Sequence, residues 1–164
     1  MPEKQTLENA RKRKREGKSP STQAGEFVRE EMHHIREGKH GARSPEQAIA
    51  IGLSKARRAG VNLKAPKKGK ASAETRHSAQ SALKAGRTGR KPSAKRSRAS
   101  LGALRHEGRA AASKSSLARH ARAAARRRGP RDLSRTAQKA VRTKGRTGRV
   151  AAARKAARTR ARQG

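Results

Sequence analysis

A chain of 164 residues with 46 Lys and Arg against 11 Asp and Glu carries a formal net charge of +35. Its apolar side chains are 32 alanines and only 18 large groups (Leu, Val, Ile, Met, Phe), too few to offset the entropy of ordering 164 residues in a single compact domain. The absence of cysteine excludes disulfides, thiolate nucleophiles and cysteine-bound metal, and the longest uncharged apolar run, Ala48 to Leu53, is too short to span a membrane.

Residues 1–19 read as a basic arm. Met1 to Arg15 has charge without an apolar stretch, so no secretory signal is expected, and Arg11, Lys12, Arg13, Lys14 and Arg15 form a cationic cluster suited to phosphate. Residues 20–63 read as a helical hairpin. Ser21 or Thr22 can cap a first helix in which Ala24, Phe27, Val28, Glu31 and Ile35 fall at helical spacing, ending at Gly38. Ser44-Pro45-Glu46-Gln47 opens a second, with a capping serine, proline at the first helical position and a capping-box glutamine. Ile49, Leu53 and Ala56 form its stripe and Gly60 ends it. Phe27, Val28, Ile35, Ile49 and Leu53 are therefore the expected core or partner face. So small a core predicts help from a homodimer partner or a ligand.

Charge changes abruptly after residue 63: residues 64–164 hold 32 Lys and Arg and only 3 acids. A linker, residues 64–72, leads into an Ala/Arg/Lys/Ser tail, residues 73–164, punctuated by glycine. Helix propensity and glycine stops predict helices at 73–85, 94–107, 110–128, 133–144 and 150–162. Their apolar stripes are thin, and mutual repulsion predicts a largely disordered tail that becomes helical when its charge is neutralised. The fold class expected is all-α, a hairpin plus a long basic, helix-prone tail. A duplication is also legible between residues 78–90 and 136–149: Ser78-Ala79-Gln80-Ser81-Ala82-Leu83 returns as Thr136-Ala137-Gln138-Lys139-Ala140-Val141, and Gly86-Arg87-Thr88-Gly89-Arg90 returns unchanged as Gly145-Arg146-Thr147-Gly148-Arg149.

The chemistry these residues offer is cationic. Arg119, Arg122 and Arg126 share a helical stripe that Arg127 and Arg128 extend, and Arg154, Arg158 and Arg162 follow at one-turn steps. Arg87, Arg90, Lys95, Arg96, Arg98, Arg146, Arg149 and Lys155 complete the expected contact set, guanidinium forks and ammonium groups for a phosphate backbone. With one Phe and no Tyr or Trp, base-stacking modules are excluded and binding should run through phosphates with little base readout. Three Gly-x-x-Gly turns (Gly38 to Gly41, Gly86 to Gly89, Gly145 to Gly148) either end helices or cradle a phosphate.

No catalytic constellation, cofactor or small-molecule substrate is expected. Glu30 with His33, and Glu31 with His34, have Glu-x-x-His spacing, but adjacent His33 and His34 diverge by about 100° on a helix, so no metal site is expected either. The sequence thus predicts a non-enzymatic, non-sequence-specific binder of nucleic acid, DNA before RNA, located in the cytoplasm with the nucleoid. Two alternatives are a ribosome-associated RNA binder and a protein-interaction hairpin whose tail anchors it to nucleic acid.

The stretch from Val28 to Gly60, with Met32-His33-His34-Ile35-Arg36-Glu37-Gly38-Lys39 followed by Arg43-Ser44-Pro45-Glu46-Gln47-Ala48-Ile49-Ala50-Ile51-Gly52-Leu53-Ser54-Lys55-Ala56-Arg57-Arg58-Ala59-Gly60, resembles a family of short basic bacterial proteins of unknown function. The resemblance covers about a fifth of the chain and implies a bacterial origin, which disfavours reading Arg11 to Arg15 as a nuclear-localisation cluster. It carries over no functional residues. The tail is similar, by composition alone, to the basic tails of linker histones and bacterial histone-like proteins.

Overall fold

Ser-Pro steps and serine caps set most helix starts. The computed structural model describes residues 2–89 and 93–162; Arg90, the last residue of the first repeat, lies outside them. Among the described residues, six α-helices follow in chain order, α1 (Lys4–Arg15), α2 (Pro20–Arg36), α3 (Pro45–Arg58), α4 (Ala73–Thr88), α5 (Ala94–Arg105) and α6 (Lys114–Ala161), with a 3₁₀ turn at Ala110–Ala112. Ser19, Ser44, Ser72 and Ser93 cap α2 to α5, each accepting from the backbone N–H three residues on. At Ser44 the expected cap forms, Gln47 N–H donating to Ser44 Oγ at 3.2 Å, but the Gln47 side chain reaches one residue further and accepts from the Arg43 N–H at 2.7 Å rather than from Ser44. The chain divides into two units, Met1–His120 and Ala121–Gly164.

The first unit owes its core to two large anchors and many alanines. Phe27 and Ile35 are fully buried, and nine of the thirteen buried apolar residues are alanine. One cluster joins Ala10 of α1, Ala24 and Phe27 of α2, and Ala56 and Val61, with Leu7, Leu53 and Leu63 at its edge. The other joins Met32, Ile35, Ala42, Ala48, Ala111 and Ala112, with Val28, Ile49 and Leu117 against it. Residues 111–117 of the same chain thus cover the part of the α2–α3 apolar face formed by Val28, Met32, Ile35, Ala48 and Ile49.

Glycine lets backbones touch. A methyl built on Gly86 in α4 would lie 2.0 Å from Arg57 O, and one on Gly41 would lie 1.8 Å from Glu107 O. Both approaches are closed to any other residue. The second also aligns Gly41 N–H with Leu104 O at 2.8 Å and Ala42 N–H with Gly108 O at 3.0 Å, which pins the α2–α3 loop to the segment after α5.

These contacts correct the expected fold class. The protein is all-α, but the hairpin is not followed by a largely disordered tail. Residues 73–120 belong to the first unit: α4 packs on α3, burying Ala79 and Ala82, and Ala111, Ala112 and Leu117 complete a core cluster. An apolar tally that sets alanine aside misses this, because alanine faces pack helix backbones closely at almost no side-chain entropy cost. Residues 4–15 of the expected arm likewise form a helix, with Thr6 and Ala10 buried.

The second unit is helical as well, without a core. It holds no buried residue among those described, and Leu133, Val141 and Val150 stand exposed. Its side-chain hydrogen bonds are local. Thr136, Thr143 and Thr159 return their hydroxyls to the carbonyls of Asp132, Lys139 and Lys155, four residues back. Left-handed Gly129 (φ 75°), followed by Pro130, and left-handed Gly145 (φ 63°) break α6. No strand occurs among the described residues, whose one isolated bridge joins Lys68 and Ala71.

Candidate nucleic-acid interface

The two units differ in how their cations are used. In the first, acids are within reach. Arg13 of α1 donates to Glu26 at 3.3 Å and to Glu16 at 3.4 Å, and hydrogen bonding to Glu26 above all raises its pKa. Lys39 pairs with Glu37 at 3.0 Å and Glu3 at 3.2 Å, which raises its own pKa, the Glu37 bond contributing most, and lowers that of Glu37; Glu3 is lowered by its hydrogen bond to His34 first and to Lys39 second. His120 reaches Glu46 at 2.7 Å. Glu46 is held below the usual glutamate range by its own backbone N–H first and His120 second. Arg57 is buried, its guanidinium donating to Leu63 O and Lys64 O at 3.0 and 3.4 Å, and desolvation lowers its pKa.

Beyond Lys55 this pairing stops. Among the described residues, no Lys or Arg after Lys55 lies in an ion pair with a carboxylate. The second unit carries 16 Lys and Arg against one acid, Asp132, and all 16 are exposed. At that density the cations repel one another, a repulsion that dissolved salt or an outside anion relieves.

The expected contact residues fall into three groups. Arg11, Lys12, Lys14 and Arg15 are exposed on α1, whereas Arg13 is spent on Glu16 and Glu26. Arg87 on α4, Lys95, Arg96 and Arg98 in the first turns of α5, and Arg119 on α6 are exposed in the first unit. Arg87 lines a shallow pocket of about 180 Å³ beside Arg57. In the second unit Arg122, Arg126, Arg127, Arg128, Arg146, Arg149, Arg154, Lys155, Arg158 and Arg162 are all exposed. Arg90 lies outside the described residues. The expected core residues are placed as follows: Phe27 and Ile35 are buried, and Val28, Ile49 and Leu53 are half-buried against them.

The three Gly-x-x-Gly segments part company. Gly41 is filled by the Glu107 carbonyl and Gly86 by the Arg57 carbonyl, so neither offers open backbone to a phosphate. The third is different: a methyl built on Gly145 would meet nothing within 4 Å and one on Gly148 only Lys144 Cβ at 3.5 Å, while Arg149 Nε donates to Gly145 O at 3.2 Å. The repeat copies also differ in backbone: in the first the left-handed residue is Gly89, which ends α4, and in the second it is Gly145.

One grouping was hidden in the sequence. His34 meets not its neighbour His33 but His40, from the loop after α2, with ring centroids 6.1 Å apart. His33 points away and pairs with Glu37 at 2.8 Å. Glu31, His34 and His40 each bring one metal-ligating atom within 4.8 Å of the others, and Glu3, Glu30 and His34 form a second such set. Spacing along the chain could not reveal a partner delivered by a loop. Comparison with protein-family models, with curated proteins and with solved structures finds no match to this chain.

Proposed function

We propose that the protein binds nucleic acid, duplex DNA in the first instance, through its phosphates and without sequence preference, as a bacterial nucleoid-associated protein coats or bridges DNA. The observation that carries this reading is the set of 16 exposed Lys and Arg in residues 121–164, none of which, among the described residues, pairs with a carboxylate. A helical backbone holds these guanidinium groups ready, so less entropy is lost on contact than from a disordered chain. The near absence of aromatic side chains argues against base stacking and so against selective capture of single strands. Arg146 and Arg149 stand exposed beside the left-handed break at Gly145, two further guanidinium groups for a phosphate backbone. The role is one of binding, with no catalytic group assigned.

The test is a salt titration with two unrelated duplexes and a structured RNA of equal length. Engagement of six to ten phosphates should weaken duplex affinity by about 10³ to 10⁵ between 50 and 200 mM salt, equally for both sequences. A flat salt response, or strong preference for one duplex, would remove the reading. Tighter binding to the RNA would reassign the same chemistry to a ribosome-associated role.

A further inference from the structure

The end of α2 gathers charge where charge is costly. Glu31 is fully buried and Glu30 nearly so. Buried carboxylates persist only when neutralised and hydrogen-bonded. Lys55 of α3 and His40 lie within ion-pair reach of Glu31, His40 Nε2 at 3.1 Å. Yet neither Glu31 oxygen makes a well-aligned hydrogen bond, and Glu30 Oε2 has no partner at all. Glu30 Oε2 is thus a buried acceptor without a donor, and the Glu31 oxygens are met only by Lys55 and His40.

The histidines are held as ligands are held. His40 is buried, and its Nδ1–H donates to Gly41 O at 3.0 Å, which aims Nε2 at Glu31, 3.1 Å away. His34 is anchored by Glu3 Oε1 at 2.8 Å from its Nε2. Carboxylate and backbone anchors of this sort orient metal-binding imidazoles. We infer that Glu31, His34 and His40 form a binding site for a divalent transition cation of the zinc type, with Glu30 beside it.

Two imidazoles and a carboxylate are the donor set zinc prefers when cysteine is absent. Tetrahedral bonds of about 2.0 to 2.1 Å need ligand atoms about 3.3 Å apart, so a set already within 4.8 Å needs only side-chain contraction. Lys55 occupies one side of Glu31, leaving the oxygen towards His40 for the metal. The site would be structural. A bound ion would tie α2 to the loop that follows it, and that loop is itself pinned, through Gly41 and Ala42, to Leu104 and Gly108.

The experiment uses the full-length chain without an affinity tag, stripped with chelator and titrated with Zn²⁺ by calorimetry and with Co²⁺ by visible absorption. One equivalent should bind with micromolar or tighter affinity, with a raised Tm, and the ring resonances of His34 and His40 should shift while those of His33, His77, His106 and His120 stay. His40→Ala and His34→Ala should each weaken binding at least about tenfold, and His33→Ala should not. Failure of the wild type to take up either metal below millimolar concentration would overturn the site, even if a variant fails to fold. So would a shift confined to His33, or undiminished binding by a folded His40→Ala.

Discussion

The two units are written in nearly the same alphabet, alanine, arginine, lysine, serine and glycine, and reach opposite states. In Met1–His120, Phe27 and Ile35 anchor alanine faces and eight acids in residues 1–63 absorb nearby cations. In Ala121–Gly164, helices form with no buried residue among those described and a single acid. The difference teaches that alanine-rich helices need a few large anchors to acquire a core, while helix formation itself needs only propensity and local caps. What the second unit lacks in internal contacts it offers outward as charge.

Removal of an anchor should expose the contrast most strongly. Phe27→Ala should cost about 3 to 5 kcal/mol in thermal or denaturant unfolding, as expected for a fully buried aromatic. Leu133→Ala, at an exposed site of the second unit, should change stability by less than about 0.5 kcal/mol. Equal effects would mean that the second unit has a core of its own.

A glycine pair sharpens the role of close backbone contact. Gly86→Ala places a methyl 2.0 Å from Arg57 O and should destabilise by about 1 to 3 kcal/mol. Gly102→Ala, in α5 with nothing within 4 Å, should stabilise by up to about 1 kcal/mol through helix propensity. Loss of stability from both would indicate that α5 is packed more tightly than its exposure implies.

How far these features could be read beforehand depends on whether the signal was local. Ser44-Pro45, Gly38 and Gly60 announced the ends of α2 and α3 because capping and left-handed turns are decided within a few residues. The tail's helices were legible for the same reason, though Gly129 and Gly145 interrupt α6 at single residues where broad gaps were expected. What escaped was tertiary. Arg11 to Arg15 drew attention to charge and away from Thr6 and Ala10, which seat α1 on α2. The contacts of Gly41 with Glu107 and of Gly86 with Arg57 join residues whose separation no periodicity encodes. The meeting of His34 with His40 depends on how one loop closes.

The acid response should also separate the units, more gently. Glu3, Glu37 and Glu46 are all held below the usual glutamate range, by His34 and Lys39, by Lys39, and by the Glu46 backbone N–H with His120. Carboxylates of lowered pKa contribute stability that is complete above the unfolded value, about 4.3, and lost as pH falls through the folded values. The Tm of the first unit should therefore decline below about pH 4.3, and Glu46→Gln should slightly flatten the decline. Helicity of the second unit, with Asp132 as its one acid, should hardly respond by circular dichroism.

The central claim is that unpaired cations bind phosphate and paired ones do not. Its most direct test is the salt slope of duplex DNA affinity for two full-length variants. Replacing Arg122, Arg126, Arg127 and Arg128 together by Gln should reduce the slope of log K against log salt by about 3 to 4, close to one per lost phosphate contact. Arg13→Gln, which removes a cation already held by Glu16 and Glu26, should leave the slope unchanged. A slope unaltered by the fourfold replacement, or reduced by Arg13→Gln as much as by any one of those four, would contradict the account.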